Sequence, residues 1–98
     1  MDAHFLIAGQ RFRWDLEKAH TNLEKHGIRF EQACEVFFDP FVRLLDATPE
    51  DEAREAALGL TEDWTLLFVV HTVRENDIIR IISARRATRA ERRVYEDQ

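Results

Sequence analysis

The apolar residues of this chain change their spacing partway along it, and that change limits the possible folds more than any other feature. Between Asp15 and Phe38 they recur at helical intervals, whereas from Phe41 onward they alternate or run together as strands do. Asp15 stands where it can cap a helix whose apolar positions Leu16, Ala19 and Leu23 fall at i, i+3 and i+7. His26 lies in its last turn, and Gly27 holds the position of a left-handed cap residue. A second helix is expected from Phe30 to Phe38, with Phe30, Ala33, Cys34 and Phe37 on one stripe; Asp39-Pro40 ends it, because proline cannot continue the ladder. Ahead of both, Arg11 to Trp14 alternates polar and aromatic residues and reads as a short strand.

The second half is strand-like. Phe41 to Asp46 is expected to be a strand, followed by an acidic loop through Thr48-Pro49, then a strand from Arg54 to Leu60. Trp64 to Thr72 holds the run Leu66 to Val70, which suits a strand buried on both faces. Arg74-Glu75-Asn76-Asp77 makes a polar turn of hairpin length, and Ile78 to Ala84 is the next strand. Thr88-Arg89-Ala90-Glu91 is a capping box that opens a short helix ending near Tyr95. The expected fold is α+β: a mostly antiparallel sheet packed against two N-terminal helices, with a short C-terminal helix, in a single domain over residues 1–98.

Composition excludes several classes. Apolar residues at 45% and charged residues at 34%, with only 3 Gly and 2 Pro, are not those of a disordered or low-complexity chain. An apolar run of five residues is too short for a membrane helix. The Met1 to Gln10 segment lacks the basic start of a signal peptide, and the single cysteine, Cys34, can form no internal disulfide; a cytoplasmic location is expected. Cys34 falls on an apolar helical stripe and reads as a small buried residue. No His-x-x-x-His, Cys-x-x-Cys or Asp-x-Asp spacing occurs, so neither a metal site nor a cofactor is expected.

The charge is unevenly placed. The net charge is −5, yet Arg80 to Gln98 holds six arginines against three acids. The acids gather instead between Asp46 and Asp63, which should therefore face away from any phosphate-binding cleft. Arg80 lies between Ile78-Ile79 and Ile81-Ile82, where a charge is costly unless it is paired or opens onto a ligand site. Glu17 and Glu31 are candidate partners. Strict alternation would set Arg80, Ile82, Ala84 and Arg86 on one face and Ile79, Ile81, Ser83 and Arg85 on the other. His71, on the neighbouring strand, could then approach Arg80.

These residues also match a family. The chain resembles the BrnT toxin family through Phe12-Arg13-Trp14-Asp15, Lys18-Ala19, Asn22-Leu23, Lys25-His26-Gly27 and Phe30-Glu31. The likeness continues at Val36-Phe37, Asp39-Pro40, Arg54, Leu58-Gly59-Leu60 and Val70-His71-Thr72. It is strongest from Arg80 to Thr88, followed by Glu91-Arg92 and Tyr95. The resemblance implies a RelE-like fold and metal-independent RNA cleavage that blocks translation. It also implies neutralisation by a BrnA-like ribbon-helix-helix antitoxin, through which the toxin meets operator DNA. Residues 1–10 extend beyond the usual start of the family, and Arg29 stands where a small polar cap is common.

Cleaving RNA without a metal requires a base for the 2′-hydroxyl, an acid for the departing 5′-oxygen and cations around the phosphate. His26 or His71 would transfer protons, since histidine ordinarily titrates near pH 6.5, close to neutrality. Arg80, Arg85 and Arg86 complete the expected catalytic set, because guanidinium forks suit phosphate oxygens. Lys25, Arg54 and Arg89 are the expected RNA-binding cations. Tyr95 is expected to pack the last helix rather than stack on a base. The competing reading is a non-catalytic binding module that acts only within an antitoxin–operator complex.

Overall fold

A computed structural model describes residues 1–47 and 54–97. The expected loop through Thr48-Pro49 lies outside the described residues. Six strands form one sheet in the order β1-β2-β6-β5-β4-β3: β1 (Asp2–Ile7), β2 (Gln10–Asp15), β3 (Arg43–Asp46), β4 (Glu55–Leu60), β5 (Leu66–Val73) and β6 (Ile79–Arg86). Every neighbouring pair is antiparallel except β2 with β6, which is parallel and held by two residue pairs, Phe12 with Ile79 and Arg13 with Arg80. Helices α1 (Leu16–His26) and α2 (Phe30–Ala33) pack on one face, and α3 (Arg89–Glu96) lies on the other. Among the described residues no helix is long and apolar enough to cross a membrane.

The end signals act as local chemistry requires. Asp15 accepts from the Lys18 amide at 3.1 Å, Gly27 turns at φ 68°, and Thr88 and Glu91 exchange both bonds of a capping box. The second helix differs from expectation. It is α-helical only over Phe30–Ala33 and tightens into a 3-10 helix over Cys34–Phe38, with no side-chain cap at Arg29. Gly59 permits that tightened segment to lie close, because a Cβ there would meet the Val36 carbonyl oxygen at 2.9 Å.

The core lies between the sheet and α2 with its 3-10 continuation. Phe12, Trp14, Phe30, Ala33, Cys34, Val36, Ala57, Leu67, Val69 and Ile81 are all buried. Tilted and edge-on ring pairs join it, Trp14 to Phe30 at 5.9 Å and Phe12 to Phe37 at 5.6 Å. Burial pushes the Cys34 thiol well above its ordinary range, so it stays a protonated apolar filler.

Two sequence expectations fail here for the same reason. Of the stripe Leu16, Ala19, Leu23 only Ala19 leans on the core: Leu16 and Leu23 are 45% and 41% exposed, and the buried residue of α1 is Asn22. Strict alternation along β6 also breaks. Val70 pairs with Ser83 but His71 pairs with Ile81, so Ile82 is a bulge. Ile79, Ile81, Ala84 and Arg86 therefore share the core face, and Arg80, Ser83 and Arg85 the other. Past Arg80, β6 has no strand on its β2 side. Its edge is covered by α1, whose inward position must satisfy backbone groups rather than bury a leucine.

The residues of the N-terminal extension form β1, which pairs with β2 along its whole length. Ala3, Phe5 and Ile7 lean on the core, and Phe5 meets Trp14 at 5.7 Å.

Candidate functional site

Two grooves adjoin along β6, the first basic and the second mixed in charge. The first crosses the sheet face opposite the core, where register aligns His4, Arg13, Arg80 and Thr72 in one row. Carrying the β4–β5 register one residue past Glu55 sets Arg54 in the same row. A groove of about 640 Å³ lies beside it, lined by Arg13, Arg74, Glu75, Asn76, Ile78 and Arg80. Arg80 is not paired with Glu17 or Glu31. Its fork grips Asp2 of β1 at 3.0 and 3.1 Å, a partner that strand alternation within β6 could not reveal. That hydrogen bonding holds the Asp2 carboxyl below its usual range and raises Arg80 further. Nearby, Arg13 Nε and Thr72 Oγ1 are buried without a hydrogen-bond partner among the described residues. Neither was among the expected site residues, although Arg13 alternates with buried Phe12 and Trp14 and so had to point away from the core.

The second groove, about 390 Å³, runs between the end of α1 and β6. Lys25 and His26 line it from the last helical turn, opposite Ile82 and Ser83, with Asp15 and Glu17 at its other end. Both Lys25 and His26 are exposed. Arg86 Nη1 donates to the His26 carbonyl oxygen at 3.4 Å, bringing a guanidinium to the helix end where cations complement the dipole. Asp15 lies two residues along β2 from Arg13, which lines the first groove, so the two grooves are neighbours along β2. Together they offer the His26 imidazole, Lys25 and four arginines, Arg13, Arg74, Arg80 and Arg86, around a surface open to a phosphodiester chain.

The remaining expected residues lie elsewhere. His71 does not approach Arg80: it pairs with Ile81 and faces the core, 2% exposed, its ring edge-on to Phe37 at 4.8 Å. Its Nδ1 lies 3.1 Å from the Val69 carbonyl and its Nε2 3.5 Å from Glu55. Burial pushes its pKa down. Arg85 and Arg86 point to opposite faces. Arg85 makes a bidentate pair with Glu91 at 2.7 and 2.9 Å and sits 4.3 Å over the Phe68 ring, docking α3. Arg89 opens α3 and is exposed. Tyr95 donates to Asp39 at 2.5 Å; burial, then that carboxylate, push its pKa up to about 12, and the ring ties α3 to the loop before β3. The described acids of the Asp46–Asp63 stretch keep off the Arg80 row where register fixes them: Glu55 lies with His71, and Glu62 and Asp63 sit in the distant β4–β5 turn.

Residues 14–91 match the family described as the ribonuclease toxin, BrnT, of a type II toxin–antitoxin system. The fold is similar to the crystal structure of the Brucella abortus ribonuclease toxin, BrnT, with 26% identity and a TM-score of 0.62, covering 78% of this chain and 94% of that one. No curated protein matches the chain.

Proposed function

The chain belongs to the BrnT family of ribonuclease toxins from type II toxin–antitoxin systems, and from that footing we propose that it is a metal-independent endoribonuclease of RelE-like fold. It acts in the cytoplasm, cutting RNA and so arresting translation. A BrnA-like ribbon-helix-helix antitoxin neutralises it, and the complex represses its own operator DNA.

The observation that carries this reading is the groove at the end of α1, where exposed His26 stands beside Lys25 and Arg86. The RNA 2′-oxygen attacks the adjacent phosphorus as its proton is removed, and the 5′-oxygen leaves as it gains one. The products are a 2′,3′-cyclic phosphate and a free 5′-hydroxyl. His26 moves one of these protons; its exposure favours it over His71, which is shut in the core. Lys25, Arg86 and Arg80 carry the phosphate charge, with Arg54 extending the track along the sheet.

The test is incubation of antitoxin-free protein with ribosome-free RNA in EDTA, beside His26→Ala and Arg80→Ala. The wild type should cut, and folded His26→Ala should be at least about a hundredfold slower. A folded wild-type chain that cuts neither free RNA nor RNA in translation extracts would mark the non-catalytic module instead.

A further inference from the structure

A third groove, about 540 Å³ in volume, lies away from both of these, where the β1–β2 turn, the Phe38–Pro40 segment and the β4–β5 turn converge. Its lining is mostly apolar, with Ile7, Phe38, Pro40, Leu60 and Trp64, and its charged residues Glu35, Asp39 and Glu62 are all acidic. Trp64 dominates it. The indole is 79% exposed, whereas the chain's other tryptophan, Trp14, is 3% exposed.

Trp64 is also held in an unfavourable backbone conformation, φ 65°. Glycine or asparagine holds such a left-handed position in a hairpin turn readily; a bulky side chain does not. The turn is fixed around it. Trp64 N–H donates to the Thr61 carbonyl at 3.0 Å, the Asp63 carboxylate accepts from the Thr61 and Thr65 hydroxyls, and Glu35 accepts from the Glu62 amide at 3.0 Å. The sequence thus breaks a local rule and holds a large aromatic out in solvent on a fixed turn, a combination that marks a contact site.

We propose that this acid-rimmed groove is where the antitoxin docks, through a segment that combines apolar side chains with Lys or Arg and seats them against Trp64. The inference rests on the antitoxin partnership and is independent of the cleavage chemistry. Charge chooses the occupant: carboxylates at the rim attract a basic peptide and repel nucleic acid. The apolar floor supplies the desolvated contact in which a tryptophan contributes most.

The full-length protein is mixed with the purified antitoxin encoded in its operon, and acrylamide quenching of tryptophan emission is compared between wild type and Trp64→Gly. Complex formation should remove the quenchable emission that Trp64 contributes. Trp64→Gly should bind the antitoxin at least about tenfold more weakly while its thermal midpoint stays level or rises, and Glu62→Lys should also weaken binding. A complex in which Trp64 remains quenchable, or a Glu62→Lys variant that binds more tightly, overturns the docking site and leaves the ribonuclease reading standing. Protection of Trp64 by short single-stranded RNA overturns it too. A wild-type chain that binds no antitoxin overturns both this site and the partnership, with RNA cleavage in EDTA still deciding the chemistry separately.

Discussion

Asn22 of α1 acts as a strand neighbour for Ala84 of β6: its Nδ2 donates to the Ala84 carbonyl at 2.8 Å and its Oδ1 accepts the Ala84 amide at 3.0 Å. The same Nδ2 donates to the Ile28 carbonyl at 3.0 Å, tying down the chain after Gly27. One 5%-exposed side chain thus closes the strand edge that β2 leaves open and fixes the helix that carries Lys25 and His26. Asn22→Ala should cost about 2–4 kcal/mol, because it strands buried backbone groups as well as losing hydrogen bonds. Urea unfolding, with an unchanged slope, is the measurement; a loss under about 0.5 kcal/mol would mean that water replaces the amide freely.

Arg85 and Glu91 form the corresponding clasp on the opposite face. Hydrogen bonds from Arg85 hold the Glu91 carboxyl below its ordinary 4.5, and the folded value is therefore the lower of the two. The stabilisation is complete above about 4.5 and disappears as pH falls through the depressed folded value. Arg85→Met should cost about 1–3 kcal/mol near neutrality and flatten this acid-side slope. Thermal midpoints from pH 7 to pH 3 test both halves. An equally steep acid slope in the variant would show that Glu91 draws its stabilisation from the capping box instead.

His71 sets a second, separate pH window. Burial lowers its folded pKa below the ordinary 6.5, so protons bind the unfolded chain more readily. Stability should be level above about pH 6.5 and decline as pH drops below it toward the folded value. His71→Phe should remove that decline, whatever it does to the absolute stability. Denaturant midpoints at pH 8, 6.5 and 5.5 check it. Retention of the decline would assign it to another histidine and reopen His71 as a titrating, accessible group.

These cases separate what the sequence disclosed from what it hid. Caps were readable because their chemistry is local: Asp15, Gly27 and Thr88 each act on residues within four positions. The basic character of β6 and the end of α1 was readable for the same reason. Facing was not. Nothing near Ile82, such as a glycine, signals the bulge that moves Ala84 into the core. Asn22 sits among polar helical residues and gains its part in the sheet from the β6 edge 62 positions away. The strand formed by Asp2–Ile7 has alternating core contacts at Ala3, Phe5 and Ile7, but Leu6 on the outer face blurs the period. Its pairing with β2 supplies Arg80 with a partner that reasoning confined to neighbouring elements could not reach.

That partner makes the last prediction. Asp2 occupies both arms of the Arg80 fork with the geometry a phosphate would use, and RNA must displace it or share the guanidinium. The pair lies at the edge of solvent, so removing it should leave the thermal midpoint nearly unchanged. Asp2→Asn removes a negative charge from the basic row and should tighten binding of a short RNA by about threefold to tenfold at low salt, with a steeper salt dependence. The gain should vanish when Arg80→Ala is combined with it, because the carboxylate acts on RNA through that guanidinium. Fluorescence anisotropy of the four proteins in the cycle reads this directly. If Asp2→Asn tightens binding equally with and without Arg80, the carboxylate acts as diffuse charge and Arg80 is no phosphate anchor.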